Sequence, residues 1–192
     1  MAHGDNPCRS FFDKHTDNND KVKELVKEVA PDWEQLSASA HSPGVVEHGE
    51  QLARVLFHPH FVDPISGELK PNVASDVKSR GASCDRLSHC TLDDALARAR
   101  TRTDKKNAER HAAAVSSGKE FVAHNVAGAA VVNVHEVRAI LEGGTKMLGV
   151  FDTGQAENAA HADICQVDLD GERGRDARFE LFKLFKRGQV AT

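Results

Sequence analysis

Chemistry-bearing side chains concentrate between Arg54 and Arg86, in the stretch RVLFHPHFVDPISGELKPNVASDVKSRGASCDR. Arg54, Lys70, Arg80 and Arg86 flank turn or strand positions there, an arrangement that can grip phosphate or carboxylate. Arginine suits the task because its planar fork of donors meets an oxyanion at two points. Arg80-Gly81-Ala82-Ser83 adds a glycine that lets a ligand approach the backbone and a hydroxyl beside it. On this reading Arg54, Lys70, Arg80 and Arg86 bind the anion and Ser83 orients it. His58 or His161 moves a proton near neutral pH. The structural alternative is that Arg80 and Arg86 pair with Asp76 and Asp85 to fix a loop.

The same stretch suggests a second chemistry. His58-Pro59-His60 would place two imidazoles on one face of an extended segment, since strand side chains alternate with period two. His161-Ala162-Asp163 repeats the spacing. By ligand type, the set His58, His60, His161 and Asp163 would suit zinc or another divalent ion in a metal-dependent hydrolase. The alternative is that these histidines bond backbone groups in loops. Two thiols also lie near imidazoles, Cys84 near His89 and Cys165 near His161, without a recognisable cysteine-nucleophile motif.

Composition bounds what these residues can serve. A chain of 192 residues, 40% hydrophobic and 28% charged, is ordinary for one globular domain. A net charge of -4 disfavours a general nucleic-acid binder. No apolar run approaches the roughly 18 residues of a membrane span. The start MAHGDNPCRSFFDKH carries charges and no apolar segment, which reads as lacking a secretory signal. With four cysteines and no C-x-x-C pair, a cytoplasmic location is expected. Neither G-x-G-x-x-G nor a P-loop occurs, and no cofactor is identified.

The positioning elements follow from periodicity. Residues 1–19 read as a flexible arm, with Phe11 and Phe12 as its only anchors. Val22, Leu25, Val26 and Val29 share one helix face, ended by Pro31. Trp33 and Leu36 begin a short second helix. Arg54–Phe57 reads as part of a buried strand, with a helix over Val46–Val55 as the alternative. Pro64 and Gly67 frame a turn, Pro71 opens a short helix over Asn72–Lys78, and the segment 80–86 turns into a strand. Thr91 with Asp94 resembles a capping box for a helix over Leu92–Ala114. The many charges of that helix read as a solvated face. Strands are expected over Glu120–Val126, Ala127–Val132, Met147–Phe151 and His161–Val167, with a short helix from Asn133 and a stop at Gly143-Gly144. Phe179, Leu181, Phe182, Leu184 and Phe185 predict a C-terminal helix over Arg178–Lys186, packed on the body or docking a protein partner.

The words HPHFVD, LKP, RGASCDR and NAAHADI resemble a pattern of uncharacterised bacterial proteins, across roughly Leu52–Val167. In that pattern an L/G-x-S-V-D-R-like segment precedes an N-P-A-H-A-like one; here Ala159 stands in place of the proline. The chain also resembles RES and ADP-ribosyltransferase-like folds. That resemblance implies an NAD pocket lined by Arg54 or His58, Ser83, and Glu120 or Glu136. The G-G-R-W-type signature of the RES group is missing.

The expectation is therefore an α+β protein. A single compact domain over 20–192 would hold a short mixed or antiparallel sheet flanked by helices. Its function would be that of an enzyme or binding module for a phosphate-bearing or nucleotide-like small molecule. The alternatives are a non-catalytic interaction module using the Phe-rich C-terminal segment, and the metal-dependent hydrolase.

Overall fold

A computed structural model describes residues 6–16, 18–28, 33–168 and 171–191. The strands are β1 (Gln51–His58), β2 (Ala82–Arg86), β3 (Asn125–Asn133), the short β4 (Leu141–Glu142) and β5 (Thr145–Lys146), then β6 (Leu148–Phe151), β7 (His161–Gln166) and β8 (Gln189–Ala191). Six of them form one sheet in the order β6-β7-β2-β1-β3-β8, and every neighbouring pair is antiparallel. β4 and β5 make a separate hairpin. The fold is α+β, as the mixture of long helices and short strands predicts.

Period-two alternation sorts each central strand into two faces. Leu52 and Leu56 of β1, Ala82 and Cys84 of β2, and Ala162 and Ile164 of β7 point into the main core. That face is covered by the 3-10 helix Pro71–Lys78, by α4 (Val134–Arg138) and by α5 (Gly171–Arg187). Val73, Val77, Val134, Val137, Leu181 and Phe185 are buried beneath them. Each large apolar side chain fully removed from water contributes about 1.5–3 kcal/mol.

The opposite face is covered in two separate pieces. α3 (Leu92–Ser117) lays Leu96 on Ala53 of β1 and Ala129 of β3. α1 (Pro7–Lys14) and α2 (Lys21–Glu28) lay Cys8, Phe11, Phe12, Val22 and Leu25 on Phe151 of β6 and Cys165 of β7, with Trp33. Between the two pieces lie β2 and the first half of β7, whose side chains on this face are polar: Ser83, Asp85, His161 and Asp163.

Several expectations change. Residues 7–14, read as part of a flexible arm, form α1, capped by Asn6 and anchored by Cys8, Phe11 and Phe12; residues 1–5, Val29 and Pro31 lie outside the described residues. Glu120–His124 is not strand, because the side-chain amide of Asn107 takes both main-chain groups of His124: Asn107 Nδ2 donates to its carbonyl at 2.7 Å, and its N–H donates to Asn107 Oδ1 at 3.0 Å. Gly143 and Gly144, at φ +60 and +79, turn the β4–β5 hairpin. The C-terminal helix begins at Gly171, well before Arg178, and it buries Leu181 and Phe185 while Phe179 stays 54% exposed. β8, which the sequence did not suggest, follows it.

No helix among the described residues is long and apolar enough to cross a membrane.

Candidate functional site

The β1–β2 ladder pairs only Leu52 with Arg86 and Ala53 with Asp85. Beyond these pairs the next main-chain acceptor of β2, the Ser83 carbonyl, receives a side chain instead: Arg54 Nη1 donates to it at 2.9 Å. Arg54 is 6% exposed. Its Nη2 meets Asp76 Oδ2 of the 3-10 helix at 2.7 Å, and its guanidinium lies 4.9 Å from the centre of the Phe61 ring. Its Nε has no hydrogen-bond partner despite being buried, an uncommon state for such a donor. Arg80 reaches the same Asp76 at 3.4 Å but is 58% exposed along its side chain. Between them Gly81 adopts φ +88, where a Cβ would crowd Asp163 and Cys165 at 3.0 Å.

On the neighbouring strands Ser83 pairs with Asp163 and Asp85 with His161. Ser83 Oγ donates to Asp163 Oδ1 at 3.1 Å, and Lys21 Nζ of α2 donates to Asp163 Oδ2 at 2.9 Å. Burial alone would raise the Asp163 carboxyl. Lys21, His161 and the Ser83 hydroxyl outweigh that and hold it below the usual range. His161 Nδ1 lies 2.9 Å from the Thr153 hydroxyl and 3.0 Å from the Thr153 carbonyl, and its Nε2 lies 4.0 Å from Asp163 Oδ1. Asp85 accepts from Arg98 at 3.0 Å and from Asn158 at 2.6 Å.

These groups open onto a cavity of about 460 Å³ between the sheet and α3. Arg54, Arg80, Ser83, Asp85 and His161 line it from the sheet side, and Arg102, Lys106 and Arg110 line it from α3. The α3 residues recur every fourth position, so they share one stripe of the helix. His60 and His124 close one end, their rings near-parallel at 12° with centroids 5.9 Å apart. Burial, then the nearby Arg110 and His60, lower the His124 pKa. Among the described residues none of Arg102, Lys106 and Arg110 forms an ion pair, whereas Arg54, Arg80 and Arg98 do.

Of the residues nominated from the sequence, Arg54, Arg80, Ser83 and His161 meet at this cavity. Arg86 does not. It is 2% exposed, with Nε and Nη2 donating to Glu50 at 2.9 and 2.6 Å and Nη1 and Nη2 to the carbonyls of Gly44 and Val45. Every arm of its guanidinium is thus engaged in holding the segment before β1. Lys70 also lies elsewhere, donating to the Pro59 carbonyl at 2.9 Å. His58 Nδ1 donates to the Val62 carbonyl at 3.2 Å.

The four groups proposed for a metal do not assemble. β1 ends at His58 and the chain turns at Pro59-His60, so the two imidazoles no longer share a strand face. Among the described residues no three His, Cys, Asp or Glu side chains are placed to hold an ion. Burial pushes the Cys84 thiol up to about 12 and Cys165 still higher, which disfavours a thiolate nucleophile at either. Glu120 is exposed, and Glu136 is bonded to Arg187 and Asn133; neither lines the cavity.

Arg102, Lys106, Arg110 and His124 were missed. The spacing of the α3 cations was visible in the sequence, and neither Arg102 nor Arg110 has an acid three or four residues away to pair with. Comparison with protein-family models, with curated proteins and with solved structures gives no match.

Proposed function

We propose that the cavity binds a phosphate-bearing, nucleotide-like small molecule, as the ligand site of an enzyme or binding module. One observation carries this reading: three cations of α3 that form no ion pair among the described residues line, with Arg54 and Arg80, a cavity of about 460 Å³. That volume falls within the range of ordinary small-molecule sites. Unpaired cations cost little in water, but gathered around a concave surface they raise the local concentration of anions. Arg54 and Ser83 sharing this cavity also suits the resemblance to ADP-ribosyltransferase-like folds, which makes NAD one nucleotide to test. The four cysteines are all free, which fits a reducing compartment, and we place the protein in the cytoplasm.

The test is calorimetric titration of the full chain with ATP, ADP, NAD and pyrophosphate. At least one should bind, and more weakly as salt is raised. Arg80→Ala and Lys106→Glu should each weaken binding about tenfold or more, with little change in melting temperature, because both side chains are exposed. Absence of binding by all four ligands at millimolar concentration refutes the reading. So does binding that charge reversal at Lys106 leaves intact.

A further inference from the structure

Two acceptor groups, Ser83 and Asp85, line the sheet side of the cavity, and the character of the serine is set by what lies behind it. Ser83 Oγ spends its only proton on Asp163 Oδ1 at 3.1 Å. That carboxylate is buried and held through its other oxygen by Lys21 at 2.9 Å, so it accepts and does not donate. The serine hydroxyl therefore has only lone pairs left to offer a ligand.

Asp85 is the second acceptor: its carboxylate lines the cavity while accepting from Arg98 at 3.0 Å and from Asn158 at 2.6 Å, and a carboxylate accepts and does not donate. His161 stands beside it, its Nδ1 2.9 Å from the Thr153 hydroxyl and 3.0 Å from the Thr153 carbonyl.

The cavity thus has two unlike sides. The α3 side offers the cations Arg102, Lys106 and Arg110 with the Thr103 hydroxyl. The sheet side offers the acceptors of Ser83 and Asp85 beside Arg54 and Arg80. Phosphate oxygens satisfy the first side, but as acceptors they leave Ser83 and Asp85 unmatched. Hydroxyl groups donate and accept, so neighbouring hydroxyls can serve Ser83 Oγ and the Asp85 carboxylate together.

We infer that the ligand is a phosphate ester of a polyhydroxylated carrier, a sugar phosphate or the sugar-phosphate part of a nucleotide. Its phosphate lies toward Arg102 and Lys106, and its hydroxyls lie on Ser83 and Asp85. This inference rests on the anion-binding reading and deepens it.

The experiment is titration of the full chain with ribose 5-phosphate and with n-butyl phosphate, which carry the same phosphate and differ in hydroxyls. The intact protein should prefer ribose 5-phosphate by about tenfold or more, because a site built for hydroxyls penalises a ligand that leaves its polar groups unpaired. Ser83→Ala combined with Asp85→Asn should bring the ratio close to one. Should the double variant not fold, Ser83→Ala alone, at an exposed position, should cut the preference about threefold or more. Equal affinities in the intact protein overturn the inference, as does a preference that survives these substitutions. Failure of the underlying reading looks different: neither phosphate binds, Arg102→Glu changes nothing, and both proposals fall together.

Discussion

Replacing Arg86 with Met separates a structural arginine from a ligand-binding one. Arg86 is 2% exposed and makes two short hydrogen bonds to Glu50, which is itself buried. The substitution keeps an unbranched side chain but leaves the Glu50 carboxylate buried, with the Ser88 hydroxyl and the Glu47 N–H as its remaining donors among the described residues. Removing one partner of such a pair costs about 3–5 kcal/mol. Titration gives an independent measure. Burial alone would raise the Glu50 pKa, but Arg86, Ser88 and the Glu47 amide bring it from 4.5 down to about 2. A depression of that size corresponds to at most roughly 3 kcal/mol. The folded pKa lies below the unfolded one, so this stabilisation is present above about pH 4.5 and fades as pH falls toward 2. At pH 7 Arg86→Met should therefore lower the melting temperature by about 6–20 °C, at roughly 2–4 °C per kcal/mol for a chain this long. The stability difference between wild type and Glu50→Gln should shrink between pH 5 and pH 2. Thermal unfolding followed by circular dichroism reads both. A variant that melts within about 2 °C of wild type and yet loses anion binding would refute the reasoning. It would return Arg86 to the ligand site.

Three further outcomes follow from buried contacts. Lys21→Met strips the buried Asp163 of its cation and should cost about 3–5 kcal/mol in urea unfolding; because the Asp163 carboxyl is held below its usual range, the wild type should lose this advantage as pH falls through the carboxylate region, and an unchanged midpoint at pH 7 would sink the account. Gly81→Ala, at φ +88 with Asp163 and Cys165 only 3.0 Å from the new Cβ, should destabilise by more than about 1 kcal/mol and weaken anion binding by shifting Arg80 and Ser83; a neutral result would show that the turn relaxes freely. Native protein treated with iodoacetamide at pH 8 should be modified first at Cys90, the one cysteine not fully buried, while Cys84, raised to about 12, and Cys165 stay intact by mass spectrometry.

Local signals were legible wherever one element decides its own structure. The Thr91 and Asp94 capping box opens α3 as its spacing predicts, and Pro71 opens the helix ending at Lys78. Signals that depend on a distant partner were not. Nothing near Glu120 announces that Asn107 will take the main chain of His124. Arg86 reads like Arg80 until Glu50, 36 residues earlier, is seen to hold it. Lys70 sits beside turn residues as an anion ligand might, but its own loop supplies the acceptor at Pro59.

The site itself illustrates why register matters more than motif. Ala-Ser-Cys-Asp and His-Ala-Asp-Ile-Cys each alternate small or apolar with polar residues, which predicts a strand with one wet face. Alone, such a face means bulk solvent. Here the two strands are adjacent and interior to a six-stranded sheet, and their register sets Ser83 against Asp163 and Asp85 against His161. Four polar side chains then form a patch in the middle of a sheet, where a packed helix would be expected. Covering that patch with an apolar helix would strand its polar groups at about 1–3 kcal/mol each. The helices instead stop short on either side, α3 over β1 and β3, α1 and α2 over β6 and β7. The cavity is thus a direct consequence of polar residues at interior strand positions, and Arg102, Lys106 and Arg110 of α3 line its opposite side.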